Sequence, residues 1–135
     1  GACMAVGALM AGREDYWEFY HMGMLAGRAF QLIDDALDYY GKEEKLGKPT
    51  GSDLAEGKCT YPLISVLDGL TEDKKNLFYN GGYESLRKLV LELGGVEKTK
   101  RRAEEELKVV LEFIKPFDES EVLKDLIFKL VYREY

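Results

Sequence analysis

The sequence predicts an all-α protein, and three observations carry that prediction. Apolar residues recur every three to four positions along most of the chain, as on the buried stripe of a helix. Gly and Pro gather between those stretches, where helices stop. No run alternates apolar and polar residues as a half-buried strand would, and no internal repeat is visible.

The elements follow in order. GACMAVGALMAG, rich in Ala, Gly and Met, suits a helix packed closely on its neighbours. It has no cap or lead-in and no initial methionine, so Gly1 reads either as an internal position of a longer protein or, equally, as a processed terminus. Helix restarts near Arg13, with Asp15 as its expected N-cap and Glu18 three residues on, a variant of the capping box, and runs to about Tyr39. The stretch from Gly41 to Pro62 contains Gly41, Gly47, Gly51, Gly57 and Pro49, which exclude a continuous helix. Pro62 fits the first turn of a helix ending near Leu70, Thr71 with Glu72 caps a short one, and Tyr83 to Leu93 makes another, stopped by Gly94 and Gly95. Val96 to Ile114 is a long charged helix with Ala103, Leu107, Val110, Leu111 and Ile114 inward; its run Lys98 to Glu106 reads as a solvated face. After Pro116, Asp118 or Ser120 starts a last helix whose Val122, Leu123, Leu126, Ile127, Leu130 and Val131 face a core.

Composition narrows the function. Nineteen basic against 25 acidic residues leave a net charge of −6, which argues against general nucleic-acid binding. Cys3 and Cys59 lie far apart without metal-ligand spacing, so a reduced, cytoplasmic protein is expected, with no zinc site or disulfide framework. The apolar start is too short to span a bilayer. His21, the sole histidine, and most of the aromatic residues read as packing.

The chemistry concentrates in Met24 to Asp38. Gly27, Gln31, Asp34 and Asp38 fall on one helical line, at intervals of four, three and four, with Asp35 beside it. Leu25, Ala29, Leu32 and Ala36 form a second line, and Ala26, Phe30, Ile33 and Leu37 a third, so the acids sit on a helix built for burial. Asp is a poor helix former, like charges four apart repel, and anions are disfavoured at a helix C-terminus; together these cost roughly 1 to 3 kcal/mol. A divalent cation would offset that cost. Carboxylates suit Mg²⁺, which takes one or two of them together with water and substrate phosphates. The plainer reading is an acidic stripe facing water at a frayed helix end. Lys42, Lys45, Lys48 and Lys58 follow, and lysines beside metal-loaded carboxylates suit a diphosphate, although an ordinary solvated loop carries such charges too. No GxGxxG or P-loop points to a nucleotide.

FQLIDDALD at 30–38, followed by LGKPTGSDLAEGKCTYPLI at 46–64, resembles the trans-isoprenyl (polyprenyl) diphosphate synthase family, in its second aspartate-rich motif and its glycine-lysine loop. The resemblance implies an antiparallel helical bundle of the isoprenoid synthase type around a deep cavity, usually dimeric. It implies prenyl transfer: an allylic diphosphate ionises with Mg²⁺ assistance, isopentenyl diphosphate attacks the cation, and a proton leaves. Asp34, Asp35 and Asp38 would hold Mg²⁺, directly or through water. Gln31, Lys48 and Lys58 would face the allylic diphosphate, with Phe30 beside them and Asp53 acting through water or a neighbour.

The family's first aspartate-rich motif, its basic segment for isopentenyl diphosphate and its Lys-Thr pair are missing here. Residues 1–135 therefore resemble the C-terminal half of a synthase domain, inactive without an N-terminal half or a partner subunit that supplies the rest. A terpene cyclase-like enzyme would share the acidic motif but not need the loop from Lys48 to Lys58. A non-catalytic, regulatory subunit of a heteromeric synthase would not need the intact motif. A ligand-free helical bundle would need neither.

Overall fold

The computed structural model describes residues 1–40 and 51–132. Among them are helices and no strand, in the order α1 (Ala2–Met10), α2 (Tyr16–Tyr40), α3 (Ser52–Ala55), α4 (Tyr61–Leu67), α5 (Glu72–Asn80), α6 (Tyr83–Glu92), α7 (Gly95–Ile114), a 3₁₀ turn (Lys115–Phe117) and α8 (Val122–Val131). They form two compact units. Of the described residues, the first holds 1–31 and 102–132; the second holds 32–40 and 51–101. Helices α2 and α7 each contribute to both.

In the first unit, Ala29, Ala103, Leu107, Val110, Ile114, Ile127 and Val131 are buried. Phe19, Phe113 and Phe117 pack ring to ring, with the Arg13 guanidinium 4.6 Å from the centre of Phe117. Four expectations are corrected here. Asp15 does not cap α2 with its side chain: both its oxygens accept from Arg13, at 2.8 and 2.6 Å. Glu106 is not on a solvated face, being only 5% exposed, because Arg28 (2.6 Å) and Arg102 (2.9 Å) donate to its two oxygens and make burial tolerable. On α8, Val122, Leu126 and Leu130 are at least half exposed, so the inward face is the narrower stripe of Ile127 and Val131. Helix α8 opens later than expected, with Glu121 rather than Asp118 or Ser120 at its N-cap position, although the Asp118 carboxylate accepts the free amides of Leu123 and Lys124.

The second unit packs Ala36 and Tyr39 of α2 against Leu54, Leu63, Val66, Val90 and Val96. Full burial of such side chains is worth roughly 1.5 to 3 kcal/mol each, which is what holds the end of the acidic helix in the core. Pro62 lies in the first turn of α4, and Gly94, at φ +70°, ends α6 as expected. The connection after Tyr40 is less irregular than its breakers suggest, because Ser52–Ala55 closes a helical turn inside it. No helix among the described residues is long and apolar enough to cross a membrane.

Candidate functional site

Burial rises along the acidic stripe of α2. Gln31 is exposed, Asp34 half-buried, Asp35 9% exposed and Asp38 fully buried. A stripe simply facing water is thus excluded for Asp35 and Asp38. The partners of Asp38 satisfy its oxygens in the core: the Ser52 hydroxyl donates to Oδ1 at 3.0 Å, and the Asp53 amide donates to Oδ2 at 3.1 Å. The Gly51 amide also donates to the Asp38 carbonyl at 2.6 Å.

This arrangement has a local cause. The residue that opens α3 is Gly51, which has no side chain to accept the free amides of the first turn. Asp38 supplies that acceptor from another helix. A glycine is needed at 51 twice over: its φ is +78°, and a Cβ there would overlap the Tyr83 hydroxyl. Gly51→Ala should therefore cost more than the 1–2 kcal/mol of a left-handed alanine, and a thermal melt would show it. A loss of only about 1–2 kcal/mol would mean that Tyr83 moves aside freely and that the backbone alone demands glycine.

Part of the cost assigned to the three acids is thus met by the protein itself. Donors from α3 engage Asp38, and Arg87 Nη2 donates to the Tyr39 carbonyl at 2.8 Å, a cation at the helix end where the dipole favours one. The same does not hold for Asp34, which has no hydrogen bond or ion pair among the described residues. Those residues contain no group of three or more acids, histidines or cysteines arranged to hold a metal ion. The donor set suits a hard cation that needs one or two carboxylates and completes its shell with water and phosphate, with Asp34 the available oxygen donor.

The loop residues join this network in sequence. Asp53, whose amide caps on Asp38, accepts through Oδ1 from Lys58 Nζ at 3.0 Å, and Lys58 also reaches Glu56 at 2.9 Å. The two acids hold the Lys58 ammonium well above its ordinary pKa, Glu56 most strongly. Lys58 stays 56% exposed, and exposed pairs of this kind are weak enough to exchange for a better anion. Lys48 lies outside the described residues. Phe30 lines an apolar groove of about 890 Å³ in the first unit, with Met4, Gly7, Gly27, Leu123 and Ile127.

Sequence reasoning missed Ser52, Gly51, Arg87 and Tyr39. The first two had a local signal, since TGSD is a helix-start pattern; Arg87 had none, being 48 residues from its partner. Tyr39 is 1% exposed, and burial pushes its phenol up to about 12. The Thr60 hydroxyl lies close enough to pull the other way, although neither hydroxyl has a partner in hydrogen-bond geometry among the described residues. A phenol with a raised folded pKa contributes stability that is complete below pH 10 and is lost as pH climbs to about 12. Alkaline unfolding should show a loss of roughly 2 kcal/mol across that window in the wild type and a shallower one in Tyr39→Phe. At pH 7 the phenylalanine variant should be as stable or more so, because it removes an unpaired buried hydroxyl.

Comparison with known proteins adds to this geometry. The sequence model of the family described as Polyprenyl synthetase matches residues 1–88. The probable mitochondrial hexaprenyl pyrophosphate synthase of Neurospora crassa is 37% identical over 112 residues, covering 80% of this chain and 25% of that protein. The short chain isoprenyl diphosphate synthase of Methanocaldococcus jannaschii is 38% identical over 117 residues, 85% of this chain and 31% of that one. Heptaprenyl diphosphate synthase component 2 of Geobacillus stearothermophilus is 43% identical over 72 residues, 49% of this chain and 21% of its own. The chain thus spans between a fifth and a third of the length of these relatives.

Proposed function

The chain belongs to the polyprenyl synthetase family, and from that premise we propose that it supplies the second aspartate-rich motif and the lysine loop of an isoprenoid chain-elongating prenyltransferase. The reaction is condensation of an allylic diphosphate with isopentenyl diphosphate. Its difficult step is breaking the allylic C–O bond, which throws negative charge onto the departing diphosphate. Groups that meet that charge stabilise the transition state more than the ground state.

The observation that carries this reading is the contrast on one helix between Asp38, occupied by protein donors, and Asp34, left without any among the described residues. Asp34, with Asp35 beside it, would hold Mg²⁺, and the ion when bound supplies charge neutralisation to the diphosphate oxygens. Asp38 keeps α3 at the end of α2, which sets Asp53 and, through it, Lys58. Lys58 exchanges its acidic partners for the diphosphate, joined by Lys48 and by Gln31 one turn before Asp34. A second aspartate-rich segment, from outside these 135 residues, completes the clamp. One relative is named as a component of its synthase, which supports a partner subunit as one possible source, the rest of a single longer polypeptide being the other. The complete enzyme works as an oligomer in the cytoplasm.

The experiment is Mg²⁺-dependent binding of an unreactive allylic diphosphate analogue to the complete enzyme. Lys48→Ala should raise its Kd about ten- to a hundredfold, the equivalent of a charge-assisted phosphate contact of roughly 1.5 to 3 kcal/mol. A lysine on an idle loop would leave Kd unchanged. Binding that ignores Mg²⁺ altogether would remove the proposal.

A further inference from the structure

The last turn of a helix ends in carbonyls that the helix itself cannot satisfy. At the end of α2 two of them are taken from elsewhere in the second unit: that of Asp38 by the Gly51 amide and that of Tyr39 by Arg87. Arg87 and Tyr83 are four residues apart on α6 and so share a face. Tyr83 is the residue that lies against Gly51. One face of α6 therefore braces both sides of the joint at which Asp38 meets Ser52 and Asp53. Arg87 keeps this position although its Nε is buried with no partner among the described residues, an arrangement that an arginine serving only the surface would relax by swinging into water.

We propose that Arg87 is a positioning residue for the acidic motif: its bond to the Tyr39 carbonyl fixes the end of α2 against α6 and so holds the joint between Asp38, Ser52 and Asp53. That the joint serves metal and diphosphate binding rests on the function proposed above. Arg87 touches no substrate in this account. It acts through the backbone of Tyr39, so its loss loosens the spacing of the acids without removing any group that binds.

Two substitutions in the complete enzyme test this. Arg87→Met keeps the apolar stem and loses the donor, whereas Arg87→Lys keeps a charged donor within reach of the helix end. Two readouts are needed: amide exchange at Gly51 and Asp53 without metal, and the Mg²⁺ concentration that half-saturates binding of the allylic diphosphate analogue. Arg87→Met should speed exchange at both amides and raise the Mg²⁺ midpoint, each by about tenfold, while analogue affinity at saturating Mg²⁺ changes less than about threefold. Arg87→Lys should recover most of both. An Arg87→Met enzyme with wild-type exchange and midpoint would overturn the assignment, as would a lysine variant no better than methionine. If the wild type shows no Mg²⁺-dependent binding, the proposed function fails with the metal-linked half of this inference, and amide exchange still decides whether Arg87 holds the joint.

Discussion

Asp34→Asn is expected to lower turnover of the complete enzyme roughly a hundred- to a thousandfold, the scale at which one charge-stabilising group at a reacting centre is felt. The fold should hardly notice. Asp34 is half-buried and bonds to nothing among the described residues, so the amide breaks no contact there and relieves repulsion with Asp38 four positions on. Melting temperature without metal should stay the same or rise. The neutral amide oxygen is a much poorer ligand for a hard dication, so the loss should appear as weakened dependence on Mg²⁺. Unchanged turnover would return Asp34 to a solvated helix position.

Asp38→Ala is expected to do the reverse, with stability as the first casualty. It leaves the Ser52 hydroxyl and the Asp53 amide without their acceptor and α3 without its cap, a loss of roughly 2 to 4 kcal/mol for a fully buried, charge-assisted pair of bonds. Asp38→Asn should recover part of it. Its amide oxygen can accept from Asp53 while its nitrogen donates to Ser52, whose hydroxyl can turn to accept. Denaturant unfolding of the two variants checks this, and an Asp38→Ala protein of wild-type stability would contradict the capping role. A carboxylate that only bound metal would instead cost activity and leave metal-free stability untouched.

How far the residues announced this varies by distance along the chain. The burial of α2 was legible because Ala29, Leu32 and Ala36 follow one helical line, and these are buried in the structure. The pairing of acids with a following loop was legible as a motif. The division of labour within the motif was not, because Asp34 and Asp38 are the same residue type on the same line, and only the fold decides which of them meets Ser52 and Asp53. The same reason hid Glu106, which sits in a charged run that looks wholly solvated until Arg28 is brought to it from 78 residues away. The apolar residues of the last helix predict a broader buried face than it has, since they cover two faces and the described unit buries one.

The most direct test sets the two aspartates side by side in the complete enzyme, by thermal melts without metal and titration of the allylic diphosphate analogue with and without Mg²⁺. Asp34→Asn is expected to melt at or above the wild type and to lose its Mg²⁺-dependent affinity, while Asp38→Ala is expected to melt well below the wild type. Asp34→Asn binding the analogue with wild-type Mg²⁺ dependence, or both variants losing stability equally, would contradict this division of roles.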